Sequence, residues 1–443
     1  MKYFYRFISA IILIVAASTI FFAVWWSFAS SYNTTGKMLG IGNLGMSMSI
    51  YTILFIILAR WLKAFKIGVE RYSTISAGII LGLFLTDFSE VLISMAISGH
   101  FVKYTWYFTW RYFLMWLFQS LVLCILAYCL LSLYRKLFPP FKLLEIYGDY
   151  PNDLTDKING LAYKYHIKKS ISYHIEDNEL RKMMADYDAV VIGDVPADEK
   201  NSIIKLCLEE GKRAYFIPKI SDIIVRSAEE LNLFDTPLFL NRNIGMRKGN
   251  AFVKRLMDII ISLVALILFS PLFLIVSILI KLEDGGPVFF RQERCTIGGK
   301  RFMILKFRSM IVDAEKDGKP IPAKEKDPRI TKIGSFIRAT RIDEFPQLIN
   351  ILKGDMSIVG PRPERVEHVE KYTKEIPEFV LRHMVKGGLT GYAQVYGKYN
   401  TKPLDKLKLD LIYIMNYSLL MDLQIILETV RVIFMKESTE GFS

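Results

Sequence analysis

Hydrophobic positions in this chain gather into long runs separated by short charged stretches. Four runs, at about 7–28, 43–59, 75–98 and 112–134, approach the roughly 20 residues that a helix needs to cross a bilayer. Lys2 and Arg6 precede the first run as they would in a secretion signal, but its length and the three runs behind it favour a membrane helix. A fifth run, Leu256–Leu282, carries Ser270-Pro271 near its middle. Lys254-Arg255 and Asp258 charge one end, and Lys281, Glu283 and Asp284 the other. Proline removes a backbone hydrogen bond and kinks a helix, and the Ser270 hydroxyl can satisfy part of what is freed. Two forms fit: a helix–break–helix over 254–282 that returns to its starting face, and a Pro-kinked spanning helix.

Between these regions the period changes. Pro139-Pro140 ends the fourth run, and short apolar strands then alternate with charged helical stretches. Strands are expected at Phe141–Tyr147, Ser170–Ile175, Ala189–Gly193 and Ala214–Pro218, with helices at Leu154–Tyr165 and Lys200–Glu210. This alternation predicts a small doubly wound sheet over 138–247. After its first strand stands Tyr147-Gly148-Asp149-Tyr150-Pro151, with one glycine where a dinucleotide fingerprint needs three. The domain therefore reads as Rossmann-like without an intact dinucleotide motif. Asn241–Asn250, with Arg242, Arg247 and Lys248, reads as a basic linker.

Charge refines the picture. The chain has 443 residues and a net charge of +13, with 52% hydrophobic and 23% charged residues, which excludes a disordered chain or a coiled coil. Residues 1–140 hold eleven Lys/Arg and only three acids, Glu70, Asp87 and Glu90. That excess lies among the apolar runs, which points to membrane topology and anionic lipid and away from nucleic acid. With the N-terminus inside, Lys2, Arg6, Arg60, Lys63, Lys66, Arg71, Arg135 and Lys136 fall inside, against Lys37, Lys103 and Arg111 outside. Both ends of a four-span bundle over 1–137 are then cytoplasmic. Asp87 and Glu90, three apart on the third run, are expected to pack inside the bundle, protonated or paired. The four cysteines form no CxxC pair and the five histidines no metal-ligand spacing.

Residues 284–401 are dense in Gly, Pro, Arg and acids. At their centre Arg338, Arg341, Asp343, Glu344 and Pro346 occur within nine residues. Asp343 is expected as the N-cap of a helix over Glu344–Leu352, which is an everyday feature but also a place where helix N–H groups favour phosphate oxygens. Attack by a carboxylate on a diphosphate brings anions together. It needs a hard cation such as Mg²⁺, or arginine forks, to neutralise the target. Arg338, Arg341 and Arg362 are the candidates, each with the alternative of a solvated surface arginine. Lys306 and Arg308 either line such a site or form a solvated basic strand. Tyr392, Gln394 and Tyr396 either meet a nucleotide or pack. Leu404–Phe434 shows helical spacing suited to an amphipathic helix.

Lys254-Arg255 with Asp258, Ser270-Pro271, KFRSM at 306–310, DPRIT at 327–331, RATRIDEFPQL at 338–348, KGDMSIVGPRPE at 353–364 and GGLTGYAQVYGKYNT at 387–401 occur in order. Over 251–443 this pattern resembles the bacterial sugar transferase family, the monotopic polyprenyl-phosphate phosphoglycosyl transferases. With four spans and a Rossmann-like domain ahead of it, the chain is similar to the large branch that initiates exopolysaccharide, capsule or O-antigen units. The fold class implied is a membrane α/β protein: a four-helix transmembrane bundle, a Rossmann-like cytoplasmic domain and an α-rich catalytic domain with a re-entrant helix. The resemblance implies transfer of a phosphosugar from a UDP-sugar to undecaprenyl phosphate, giving undecaprenyl-diphospho-sugar and UMP. Asp343 matches the family's nucleophile and Glu344 its partner in placing Mg²⁺. Arg338 and Arg362 match phosphate-holding arginines, and Ser270-Pro271 matches the re-entrant break. A cytoplasmic-membrane location and a homodimer are implied too. The family usually has glycine where this chain has Thr296, which puts the local loop shape in question. The competing readings are a membrane glycosyltransferase that releases UDP, and a non-catalytic membrane scaffold or sensor. Nothing in the sequence marks the sugar.

Overall fold

The structure is a computed structural model and describes residues 1–28, 41–98, 105–149, 154–233, 235–241, 246, 248–312, 314, 327–397 and 401–433. Lys37, Lys103, Tyr150-Pro151, Arg242 and Arg247 lie outside these residues, so the expectations that rest on them do too. The chain is a mixture of helix and sheet in two compact units, Met1–Ile217 and Pro218–Ser443.

The first unit begins with four helices, α1 (Lys2–Phe28), α2 (Ile41–Trp61), α3 (Tyr72–Ser98) and α4 (Thr105–Leu137). Among the described residues three of them are long and apolar enough to cross a membrane, over Lys2–Trp26, Tyr72–Ile93 and Thr109–Leu137. The second is apolar over the shorter stretch Gly45–Trp61, so among the described residues three of the four expected spans reach that length. All four helices share a core that includes Phe21, Tyr51, Leu83 and Leu123. Within it Gln119 donates to the Ala17 carbonyl (3.0 Å) and to the Tyr51 hydroxyl (2.9 Å), tying α4 to α1 and α2. Leucine, isoleucine and phenylalanine cover the outward faces, as at Phe4, Ile53, Phe88 and Leu121. Asp87 and Glu90 are buried as expected, but their carboxylate oxygens have no hydrogen-bond partner among the described residues.

A parallel four-stranded sheet follows, in the order β2-β1-β3-β4, formed by β1 (Phe141–Tyr147), β2 (Tyr165–Ser172), β3 (Ala189–Ile192) and β4 (Arg213–Phe216). Helices α5 (Leu154–Asn159), α6 (Asp177–Met184) and α7 (Ala197–Glu209) intervene. Buried parallel strands read as continuous apolar runs because both faces are covered. Here Leu144, Ile146, Val190 and Ile192 enter one core, and Leu143, Ala189 and Val191 the other. The second strand begins at Tyr165, earlier than expected, because the expected helix stops at Asn159, whose side chain accepts from the Ile167 N–H (3.0 Å). A Cβ on Gly148 would lie 1.9 Å from the Asp194 carbonyl oxygen, so this glycine is needed for close approach of the two strand ends.

The second unit contains α8 (Ile220–Arg226), the exposed hairpin of β5 (Glu229–Leu233) and β6 (Thr236–Leu240), and two apolar helices, α9 (Lys248–Leu268) and α10 (Ser270–Asp284). The hairpin of β7 (Phe289–Cys295) and β8 (Arg301–Phe307) comes next, then α11 (Lys332–Ala339), α12 (Gln347–Lys353), β9 (Ser357–Val359) and α13 (Val366–Glu375). The chain closes with β10 (Gly388–Thr390), α14 (Tyr392–Tyr396), α15 (Pro403–Met415) and α16 (Leu419–Ile433). The single amphipathic helix expected at 404–434 is thus two, broken at residues 416–418; Phe434 lies outside the described residues.

Helices α9 and α10 meet at a 62° bend, the size seen in a broken span or a re-entrant loop. The break falls at Phe269, whose ψ of 7° leaves the helical range. Proline 271 has no N–H for the Ile267 carbonyl four residues back, and the Ser270 hydroxyl donates to that oxygen instead (2.8 Å). On α9 the usual polarity is inverted. Lys254, Asp258 and Ser262, spaced four apart, are buried, while Leu256, Ile260, Leu263 and Ile267 are exposed. The buried polar stripe docks the helix. Lys254 pairs with Asp422 at 2.6 Å, and Asp258 accepts from the Ser357 hydroxyl and the Ile358 N–H, both at 3.0 Å. Arg255 donates to the Ile351 and Leu352 carbonyls at the end of α12 (2.5 and 2.7 Å). At the far end of the pair Asp284 is clasped by both Nη groups of Arg308, and Glu283 accepts from the Lys332 N–H (2.8 Å) at the start of α11.

Lys254→Met strands Asp422 in the interior. The expected loss is about 3–5 kcal/mol of stability, and Lys254→Met/Asp422→Leu should recover most of it in thermal unfolding of the detergent-solubilised protein. Equal losses in the single and double variants would show that the pair does not dock α9.

Candidate active site

The acid pair sits on a turn, not on a helix cap. After α11 the chain passes through Arg341 in the left-handed region (φ 60°) and makes one 3₁₀ turn, Ile342–Glu344. A non-glycine residue in that region costs about 1–2 kcal/mol. Pro346 has no N–H to reach the Ile342 carbonyl, so bonding stays in the i→i+3 pattern: Glu344 to Arg341, Phe345 to Ile342 and Leu348 to Phe345. The regular helix starts only at Gln347. The expected N-cap role of Asp343 is therefore corrected, and both Asp343 and Glu344 are buried.

Three neighbours hold the turn in place. Ile342 packs with Val276 and Ile280 of α10, Phe307 of β8 and Ile337 of α11. The Phe345 ring lies 5.1 Å from that of Phe269, which brings the helix break beside the acids. Asn350 of α12 closes the edge of β8, accepting from the Leu305 N–H and donating to the Met303 carbonyl, both at 2.9 Å. Lys306 follows directly on that strand.

Cations converge on Glu344. Arg362 meets it with Nη2 at 2.6 Å from Oε1 and Nη1 at 3.3 Å from Oε2. Lys306 Nζ stands 3.2 Å, and Arg341 Nη1 3.9 Å, from Oε1. Burial alone would raise the Glu344 carboxyl; Arg362 and Lys306 outweigh it and hold the group well below the usual range. Arg362 is in turn raised by Glu344, and Lys306 is lowered by burial. Asp343 differs from its neighbour. Burial raises its carboxyl, Glu344 adds to this, and Lys306, Arg338 and Arg362 oppose it. Asp343 accepts no hydrogen bond among the described residues. One acid is thus locked in ion pairs and the other keeps its oxygens free.

The expected phosphate candidates Arg338, Arg341 and Arg362 all border this pair, and Lys306 joins them. Arg308 does not: it is buried and spent on Asp284 and the Pro287 carbonyl. Tyr392 packs against the core of the unit, its ring 4.4 Å from that of Tyr396. Sequence reading missed the support behind Arg362. Buried Arg382 donates to the Arg362 carbonyl (3.0 Å) and to Asp410 of α15 (2.8 Å), and Glu364 lies 3.8 Å from Arg382 and 3.7 Å from Lys406. The spacing of these residues across 46 positions gives no local signal. The loop itself is packed backbone on backbone: a Cβ on Gly388 would lie 2.1 Å from the Gly360 nitrogen. Thr296 is likewise resolved. The turn uses Gly298 and Gly299 at φ 64° and 72°, while the Thr296 hydroxyl donates to the Asp355 carbonyl (2.9 Å) and accepts from the Gly387 N–H (3.1 Å).

No group of three or more His, Cys, Asp or Glu side chains gathers among the described residues. A divalent ion here would depend on Asp343 and its neighbour with substrate oxygens and water, which is the donor set that Mg²⁺ commonly takes. The free oxygens of Asp343 fit that role; those of Glu344 are engaged by Arg362 and Lys306.

A family model described as Bacterial sugar transferase matches residues 249–436. The chain is 40% identical over 253 residues to the UDP-N-acetylgalactosamine-undecaprenyl-phosphate N-acetylgalactosaminephosphotransferase of Aeromonas hydrophila, covering 56% of this chain and 59% of that protein. It is 38% identical over 316 residues to a UDP-glucose:undecaprenyl-phosphate glucose-1-phosphate transferase of Klebsiella pneumoniae, covering 68% and 64%. A protein of the same name from Caulobacter vibrioides is 43% identical over 183 residues, covering 40% and 68%. The chain thus spans somewhat under two thirds of the first two relatives.

Glu344→Gln removes a like charge beside Asp343 and frees Lys306 and Arg362 to face it. Infrared titration of the carboxyl bands in metal-free buffer should show Asp343 protonating at lower pH in this variant, with Asp343→Asn identifying the band. An unchanged or raised midpoint would contradict the coupling.

Proposed function

Because the chain belongs to the bacterial sugar transferase family, we propose that it transfers a phosphosugar from a UDP-sugar to undecaprenyl phosphate. An Asp343 carboxylate oxygen attacks the phosphorus next to the sugar and the bond to the UMP oxygen breaks. UMP leaves and the phosphosugar stays on Asp343. A phosphate oxygen of undecaprenyl phosphate then attacks the same phosphorus, the acyl phosphate bond breaks, and undecaprenyl-diphospho-sugar leaves. The observation that carries this reading is the asymmetry of the acid pair: Asp343 has free oxygens, whereas Glu344 is tied to Arg362 and Lys306. A nucleophile must be unengaged, and two steps through a covalent intermediate replace one difficult step.

Arg338, Arg341 and Arg362 supply planar donors for the phosphate oxygens, and Lys306 a point charge. Mg²⁺, when bound, would supply further neutralisation of the diphosphate; Asp343 would hold it together with substrate oxygens and water, and Glu344 would fix the turn beside it through Arg362 and Lys306. The helix pair α9–α10 reads as a re-entrant segment. Its two ends are fastened to the same folded unit, Lys254 to Asp422 and Asp284 to Arg308. A straight crossing would carry those ends about 30 Å apart, on opposite faces. Such a segment holds the acid pair at the headgroup level, where a lipid phosphate and a soluble nucleotide sugar can both arrive. The same reading has α1–α4 as a four-span bundle, the parallel sheet as a Rossmann-like domain without a dinucleotide, the catalytic unit on the cytoplasmic face of the bacterial inner membrane, and the working form a homodimer.

A panel of UDP-sugars with undecaprenyl phosphate should liberate UMP, and Asp343→Asn should lower turnover at least about 10³-fold while the protein stays folded in membranes. Release of UDP, or normal turnover by Asp343→Asn, would overturn the proposal. Excess chelator should also stop the reaction; full activity in its presence would remove the metal.

A further inference from the structure

Arg294 is the cation at this site that neither the motif reading nor the acid pair accounts for. It lies on β7, one turn of pleat beyond Gln292 and facing the same side of the hairpin as Lys306, given the pairings Phe290↔Lys306 and Arg294↔Phe302. Its guanidinium donates Nη1 to the Pro363 carbonyl (3.2 Å) and Nη2 to Gln292 Oε1 (2.7 Å). Its Nε–H is buried with no acceptor among the described residues. Among the described residues no carboxylate lies within ion-pair distance of it. Glu364 is nearby but shared among Arg382, Lys406 and His368. Burial lowers the Arg294 guanidinium to about 10, and repulsion from Arg362 contributes. Leaving a buried charged donor unpaired is costly, and an anionic ligand beside the acid pair would supply the missing charge.

We propose that Arg294 is a binding residue for the diphosphate of the nucleotide donor, contacting the phosphate that leaves with the nucleoside. The inference rests on the reading of Asp343 and its neighbours as a diphosphate site, and deepens it. Around that site Arg294, Lys306, Arg338, Arg341 and Arg362 outnumber the acids Asp343, Glu344 and Glu364, so the excess positive charge suits a polyanion. Position along the hairpin selects which phosphate Arg294 takes. The Lys306 end adjoins α10 through Val288 and Phe307. Arg294 stands four residues further along the strand, roughly 13 Å away from that membrane-facing end. A lipid phosphate arrives from the α10 side; the far end meets the soluble nucleotide.

The test uses the full-length protein in detergent with Mg²⁺, and reads the thermal midpoint against added inorganic pyrophosphate or undecaprenyl phosphate. A ligand that binds only the folded state raises the midpoint with its concentration. Wild type should be stabilised by both. Arg294→Met should need at least tenfold more pyrophosphate for the same rise, with its undecaprenyl phosphate curve unchanged, and Arg294→Lys should fall between. If Arg294→Met does not fold, Arg294→Lys carries the test with a several-fold shift. Unchanged pyrophosphate curves in the variants, or a shift confined to undecaprenyl phosphate, would overturn the assignment while leaving the diphosphate site standing. Failure of pyrophosphate to stabilise wild type would overturn both.

Discussion

A carboxylate buried beside a helix break must be compensated, and the Glu344–Arg362 ion pair, with Lys306 on its other side, is what makes the acidic turn tenable. Removing water from an ion costs several kcal/mol unless partners replace it. Arg362 can serve because its own backbone is fixed: prolines flank it, Arg382 holds its carbonyl, and Gly360 and Gly388 let the two loops touch. Lys306 can serve because Asn350 fixes the strand beside it. The chain of support runs from α15 and α12 to one carboxylate. The neighbouring Asp343 accepts no hydrogen bond among the described residues and keeps its oxygens free.

The second constraint is inside-out polarity. In water α9 would bury Leu256 and Ile260 and expose Lys254 and Asp258; here the reverse holds. Lys254, Asp258 and the half-buried Arg255 serve as rivets, to α16, β9 and α12, while the apolar face is exposed. The fastening of both ends to one unit and the Ser270–Ile267 bond at the bend answer the same requirement, that backbone at depth be satisfied locally. Phe269 against Phe345 then links the bend to the acidic turn. The docking of the bent helix pair and the placement of the acids are thus coupled.

Much of this was legible in the sequence because it is written locally. Apolar runs, Pro139-Pro140, the β-α alternation and Ser270-Pro271 each act over a few residues. The ordered motifs pointed to Asp343, Glu344 and the three arginines, which the fold does gather. What stayed hidden depends on tertiary partners. A proline suits the first turn of a helix, so the sequence suggests Asp343 as an N-cap; the missing N–H of Pro346 instead leaves a 3₁₀ turn entered through Arg341. Arg308 looked like Lys306 but lies beyond the end of β8, against Asp284. Arg382 carries no signal until α15 is in place; Arg294, within Gln292-Glu293-Arg294 of the block dense in Gly, Pro, Arg and acids, gains a defined place only once the hairpin forms, although Gly298-Gly299 between alternating segments could have marked the hairpin.

The account turns on Asp343 carrying the phosphosugar, and trapping that species tests it most directly. The full-length protein would be mixed with a UDP-sugar labelled in the phosphate next to the sugar, without lipid, quenched rapidly and digested. The label should appear on the peptide that contains Asp343, and should move to lipid when undecaprenyl phosphate is added before the quench. Labelled lipid formed with no protein-bound label at any time would contradict it.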